Sequence, residues 1–322
     1  MGKKAIMSRH ASLKVTIMIP TYNQEDFIRD AVDSALMQTY SNLEIVVGDD
    51  ASTDATPDII SKIKDPRLKL VFNRKNLGRT NNYRNILYNH ATGDFVVNLD
   101  GDDYYTDPNF IADSVKLIDG DPRVVMVLAR ACWNMPGREE VYSDIPDVKE
   151  ILGLDILKSL PQEKFYFKHM ASLYRRETAL KLDFYRSNAI SSDWESLYRL
   201  ALYGKVKYLD NNIGVWRIHG RNETASIDLD QFVENLGIWP SIYKEARKRG
   251  MNLVQAKNIC SKCIVCFASK YLINLSSSGN KKQIQFLFCL CKYYPFSLVR
   301  LMFRPHDFAR MIFVFFGYYR QR

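Results

Sequence analysis

Phe95-Val96-Val97-Asn98-Leu99-Asp100-Gly101-Asp102-Asp103 is the stretch on which the fold turns. A short apolar run, strand-like in length, breaks off into crowded carboxylates ahead of Pro108. Carboxylates at a strand end repel one another unless a cation neutralises them, and hard oxygen ligands suit Mg²⁺ or Mn²⁺ bridging to a diphosphate. Taken alone, such a cluster is more often an acidic turn capping the following helix. It is not alone.

Upstream, Val15 to Ile19 reads as a strand that stops at Pro20, and Thr21-Tyr22-Asn23 leads into a helix with Phe27, Ala31, Val32 and Leu36 at helical spacing. A second strand, Leu43 to Val47, ends in Gly48-Asp49-Asp50-Ala51-Ser52-Thr53-Asp54. A third, Leu68 to Phe72, precedes a turn at Gly78 and a helix around Asn81 to His90. Strands alternating with helices, each strand followed by polar residues, predict an α/β fold. Its Rossmann-like, mostly parallel sheet would be flanked by helices, with the ligand crevice at the strands' carboxyl ends.

Pro20-Thr21-Tyr22-Asn23, Asp49 to Asp54, Arg84-Asn85 and Leu99 to Asp103, in this order, resemble the nucleotide-sugar-binding half of family 2 glycosyltransferases of the GT-A fold. The resemblance continues through Ser172 to Arg176, Ser192-Asp193-Trp194-Glu195 with Leu197 to Leu200, and Trp216-Arg217-Ile218-His219, covering about residues 13 to 226. It implies a donor-binding half at 13–105 and an acceptor half at 106–226 on one continuous sheet. The activity it implies is inverting, metal-dependent transfer of a sugar from a nucleoside diphosphate, UDP by preference, to a hydroxyl of a lipid-linked or membrane-proximal glycan.

By the same resemblance, Tyr22 and Asp50 hold the nucleobase: a ring supplies a face, and a carboxylate accepts the imide N–H of uracil. The backbone of Pro20 and Thr21 would line the base. Lys75, Arg79 and Arg84 are the basic residues placed to meet the diphosphate. Asp102 meets the ribose or the metal, and Asp103 or Asp100 shares the metal, both alignments of the Asp-x-Asp pattern being open. His219 would complete the metal or diphosphate shell. The cation, Mn²⁺ or Mg²⁺, serves as Lewis acid toward the departing nucleoside diphosphate. Asp193 resembles the carboxylate that takes the acceptor's proton in a single in-line displacement. Ser192 stands before it where the family usually has an acidic residue.

Two other classes compete. A catalytically weak protein that binds nucleotide sugar or scaffolds a glycan-assembly complex would not need Asp50, Asp102, Asp103 and Asp193 together. A nucleotidyltransferase would need a glycine-rich basic loop after its first strand, and Pro20-Thr21-Tyr22-Asn23-Gln24 is not one.

At 322 residues and 47% hydrophobic content the chain can bury a real core, which excludes disorder. Met1 to Ser12 reads as a short, basic, mobile arm rather than an export sequence, placing the catalytic half in the cytoplasm. The six cysteines include Cys260, Cys263 and Cys266, three apart on one helix with no fourth ligand near, and read as reduced core thiols.

Charge concentrates at the end of the chain. Residues 281 to 322 carry eight Lys or Arg against Asp307 alone, +7 of the total +9. Apolar residues are interleaved throughout, from Phe286-Leu287-Phe288 to the run Met311 to Phe316, in stretches shorter than the roughly 18 to 20 residues that span a bilayer. A C-terminal helical region, 227–322, with this pattern is expected to lie on an anionic membrane surface, peripheral on the inner face of the cytoplasmic membrane. The alternative is a helical subdomain packed on the core. So many bulky apolar residues argue against nucleic acid as the partner. Helical patterns run from Asp230 through Arg249 and from Gln255 through Leu275, with a turn at Ser276 to Asn280.

Overall fold

The computed structural model describes residues 13–134, 141–142, 148–160, 167–220, 222, 228–274 and 280–303. The N-terminal arm, the Ser276 to Gly279 turn and the basic residues from Arg304 onward lie outside the described residues. The strands are β1 (Val15–Thr21), β2 (Leu43–Asp49), β3 (Leu68–Phe72), β4 (Phe95–Asn98), β5 (Tyr104–Tyr105), β6 (Val124–Asn134), β7 (Val141–Tyr142), β8 (Glu150–Leu152), β9 (Ser172–Arg175) and β10 (Lys205–Arg217). Between them in the chain come α1 (Ile28–Leu36), α2 (Thr56–Ser61), α3 (Arg79–Asn85), α4 (Phe110–Ile118), α5 (Gly153–Ser159), α6 (Arg176–Lys181) and α7 (Ser192–Ala201).

The ten strands of the described residues join one sheet in the order β3-β2-β1-β4-β9-β6-β10-β5, with β7 beside β6 and β8 beside β10. The first four strands in that order up to β4 are mutually parallel. The two longest strands, β6 and β10, are parallel to each other, and short β9 runs antiparallel between β4 and β6. Every residue of β1 is buried, as a central parallel strand covered on both faces requires. Its side chains Ile17 and Ile19 pack with Ile28, Val32, Ile45 and Val97 in the core.

Strand β1 runs two residues past its expected end. Pro20 pairs with Gly48 of β2, while on the other side the ladder with β4 stops at Met18 and Asn98. The missing N–H of Pro20 therefore costs no sheet hydrogen bond on that side. Beyond α3 the expected helix changes to a wider π turn, Ile86–His90, closed by the Ala91 N–H on the Ile86 carbonyl at 2.8 Å. Strand β10 runs from Lys205 to Arg217, and register shifts around Leu209 and Asn212 absorb its polar Asp210-Asn211-Asn212 segment.

The chain divides into two compact units: residues 1–153, 164–188 and 196–222 in the first, and 154–163, 189–195 and 223–322 in the second. The first holds the sheet. The second is helical, with α8 (Leu229–Leu236), α9 (Ile238–Lys248), α10 (Leu253–Asn274), α11 (Asn280–Tyr293) and α12 (Pro295–Met302). Asp228 and Gln231 form a capping box at the start of α8. The single helix expected over Asp230 to Arg249 is broken at Gly237, the residue of lowest helix propensity in it apart from Pro240. Phe232 stacks on Tyr271 at 3.8 Å between centroids, and Phe286 packs edge-on against both. All six cysteines are free thiols, and burial pushes those of Cys260 and Cys263 up to about 12.

Candidate functional site

Three strand ends are laced together by the main chain. The Asp50 N–H donates to the Thr21 carbonyl at 2.9 Å, and the Gly101 N–H to the Pro20 carbonyl at 3.1 Å. The end of β1 thus touches both the Asp49-Asp50 turn and the acidic turn after β4. Glycine at 101 suits this approach, since a Cβ there would run into Gln24 Oε1 and lie 2.9 Å from Thr21 Oγ1. Thr21 itself is buried, its hydroxyl donating to Gln24 Oε1 at 2.8 Å. Tyr22, the next residue, is 46% exposed and presents a free ring face at the rim of this junction.

Within the acidic turn each carboxylate has a different environment. Asp100 Oδ1 accepts from the Tyr83 hydroxyl and from Asn98 Nδ2, both at 2.8 Å. Asp102 Oδ2 lies 3.0 Å from His219 Nε2. Asp103 is buried, and its Oδ1 accepts the Arg217 N–H at 3.0 Å. Burial and the charge of Asp100 raise the Asp102 carboxyl above its ordinary range, and His219 offsets part of that. Asp103 is raised further, by burial and then by the charges of Asp102 and Asp100, against a weaker pull from Arg217. The cluster is thus electrostatically unfavourable in the way a cation would relieve.

Asp102 and His219, 117 residues apart, are the two predicted metal ligands that the structure joins side chain to side chain. Among the described residues no three His, Cys, Asp or Glu side chains stand together as a complete metal-binding group. A carboxylate and an imidazole nevertheless fit a hard or borderline dication that draws its remaining ligands from substrate phosphates and water. Asp100 is turned toward Tyr83, and Asp103 toward Arg217.

Asp50 is 2% exposed and already accepts three hydrogen bonds, from Asn73 Nδ2 at 2.8 Å and from the Leu77 and Gly78 N–H groups at 2.9 Å each. It holds the loop after β3 against β2, and one of its four acceptor positions is left over. The Arg79 guanidinium stands 5.6 Å from the centre of the Tyr83 ring. Arg84 donates to Asp183 Oδ1 and to the Phe184 carbonyl, both at 2.7 Å, and its charge lies over the Tyr88 ring. Asp193 lies in the first turn of α7, in the stretch that belongs to the second unit.

Two residues to which the sequence assigns no role support the acidic turn. Arg217 is the busier: besides its N–H on Asp103, its guanidinium donates to the Asp102 carbonyl at 3.2 Å, pairs with Asp30 at 2.6 Å and lies over Tyr104. Phe27 stacks on the His219 ring, 4.8 Å between centroids at 18°. The Trp216-Arg217-Ile218-His219 motif was the only sequence pointer to Arg217, and nothing local points to Phe27.

Residues 16–182 match the model of the family described as Glycosyl transferase family 2. The chain belongs to that family. Over 242 residues it is 29% identical to the uncharacterized protein Mb1547 of Mycobacterium bovis, covering 73% of this chain and 63% of that one. Over 91 residues it is 46% identical to the Escherichia coli UDP-Glc:alpha-D-GlcNAc-diphosphoundecaprenol beta-1,3-glucosyltransferase WfaP, 28% of this chain and 36% of that protein. It therefore spans less than two thirds of the length of these curated relatives. Among solved structures, Staphylococcus aureus TarS 1-349 in complex with UDP superposes with a TM-score of 0.65 at 19% identity, covering 92% of this chain and 83% of that one. The mannosyltransferase PcManGT of Pyrobaculum calidifontis, in complex with GDP-Man and Mn2+, gives 0.53 at 20% identity over 95% and 88%. These likenesses bear out the expected GT-A fold with its C-terminal helices.

Proposed function

We propose that this chain transfers a sugar from a nucleoside diphosphate, UDP being favoured, to a hydroxyl of a lipid-linked glycan, with inversion at the anomeric carbon. The observation that carries this reading is the meeting of the ends of β1 and β2 with the acidic turn, whose Asp102 pairs with His219, in a family 2 chain. The donor and the lipid-diphosphate acceptor in the name of WfaP support the choice of substrates. Tyr22 would supply the face for the base, and the remaining acceptor position of Asp50 its imide N–H. Asp102 and His219 would hold Mn²⁺ or Mg²⁺, whose charge stabilises the departing diphosphate. Asp193 takes the proton of the attacking hydroxyl, a role that rests on the resemblance of its motif.

A peripheral position on an anionic membrane belongs to the same reading. Phe296 and Val299 on α12 and Phe303 just past its end recur at helical spacing and are 85%, 51% and 83% exposed, and Phe288 on α11 is 68% exposed. Exposed aromatics in a basic segment suit the headgroup boundary. Among the described residues no helix is long and apolar enough to cross a membrane.

The deciding experiment is a panel of nucleotide sugars assayed for slow hydrolysis by the full chain, which needs no acceptor, alongside Mn²⁺ binding followed by electron paramagnetic resonance. A UDP-sugar should be hydrolysed only with metal, and Asp102→Asn and His219→Ala should each weaken Mn²⁺ binding. Undiminished hydrolysis in EDTA would remove the metal from the proposal.

A further inference from the structure

Elsewhere in the sheet-bearing unit, a pocket of about 240 Å³ opens between Thr80, Asn81 and Arg84 of α3 and the loop 183–188 after α6. That loop is strained and firmly braced. Asp183 and Tyr185 have φ of 52° and 57°, a left-handed conformation costly for residues that carry a Cβ. Arg199 donates to the Leu182 and Asp183 carbonyls at 2.5 and 3.2 Å, and Ser196 Oγ accepts the Tyr185 N–H at 2.9 Å. Arg84 closes the other side through Asp183 and Phe184.

The lining is rich in donors: the guanidinium groups of Arg84 and Arg186, two carboxamides, and the hydroxyls of Thr80 and Ser187. Its charged side chains are two arginines and one aspartate, and that aspartate, Asp183, pairs with Arg84. Donor-rich, cationic walls select oxyanions, and guanidinium suits phosphate in particular. The volume falls below the roughly 300 Å³ at which drug-sized sites begin, which fits a head group and not a whole nucleotide sugar. Tyr83 links this pocket to the acidic turn: its hydroxyl reaches Asp100 at 2.8 Å, and its ring centre is 5.2 Å from that of Tyr185.

We propose that this pocket receives the diphosphate of the acceptor, an inference that rests on the reading of the chain as a transferase acting on a lipid-linked diphosphate. The test is calorimetric titration of the full chain, with Mg²⁺ and saturating UDP occupying the donor site, by geranyl diphosphate and by inorganic pyrophosphate. Both probes carry the shared chemistry. Tighter binding of geranyl diphosphate identifies a lipid head group as the natural source, and equal binding a soluble diphosphate. Arg186 is exposed on its loop, so Arg186→Ala should leave the fold intact and weaken binding about tenfold, the loss expected for a charge-assisted hydrogen bond. Arg186→Lys should lose less, and Ser187→Glu, which adds a like charge, should abolish binding. If UDP binds but neither diphosphate does, or if their affinity survives both Arg186→Ala and Ser187→Glu, the pocket assignment is overturned while the donor site stands. If UDP itself does not bind the wild type, the choice of UDP as donor falls, and the pocket is judged on the two diphosphates alone.

Discussion

Glu44 offers a sharp test of how the nucleotide half is held together. Its carboxylate, on β2, gathers donors from two neighbouring segments. Thr16 Oγ1 at 2.5 Å and the Thr92 N–H at 2.6 Å reach Oε1, while Thr92 Oγ1 at 2.7 Å and Lys14 Nζ at 2.6 Å reach Oε2. Burial alone would raise this carboxyl, but the hydrogen bonds from Lys14, Thr16 and Thr92 outweigh it and hold the group at about 2, below its ordinary 4.5. That gap, at about 1.36 kcal/mol per pH unit, sets a ceiling of about 3.4 kcal/mol on the linked stability. Lys14 is 39% exposed and its share is screened, so about 2 kcal/mol is the working figure. Because the folded-state pKa is depressed, the stabilisation is complete above pH 4.5 and drains away as the pH falls toward 2. Glu44→Gln should therefore lower the stability measured by urea unfolding by about 2 kcal/mol at pH 7, and by much less at pH 3. Equal stability at pH 7, or a difference that stays constant down to pH 3, would refute the reasoning.

Gly101→Ala should disrupt the junction of β1 with the acidic turn, costing about 1 to 3 kcal/mol of stability and weakening UDP binding in the same titration; wild-type behaviour in both would show that Gln24 moves aside freely. Asp193→Asn should lower turnover roughly 10²-fold with donor affinity close to wild type, and a loss of donor affinity at unchanged turnover would remove Asp193 from proton transfer. Phe296→Asp with Phe303→Asp should release the chain from anionic liposomes while donor hydrolysis survives; continued sedimentation with the vesicles would place the membrane contact elsewhere.

Much of this protein was legible along the chain. The apolar runs of β1 to β4 are local patterns of burial, and the polar residues after each strand mark the carboxyl edge of a parallel sheet because that edge is where crossover turns must lie. The alternation of strands with polar segments located the acidic turn and the turns after β1 and β2 on that edge, and the family resemblance singled out Tyr22 and Asp50 within them. Sequence reading failed where pattern and packing diverge, as in β10, whose polar middle hides a strand that bulges absorb.

Tertiary structure alone decided what each charged group does there. Asp102 meets His219 across 117 residues, and Arg217 reaches Asp30 across 187. Asp50 spends three of its acceptor positions on the loop after β3, and Arg84 is drawn to Asp183. A carboxylate or guanidinium has the same hydropathy whichever partner it finds. Its role is set by directional hydrogen bonds between segments that only the folded chain brings together, and that information has no period along the chain.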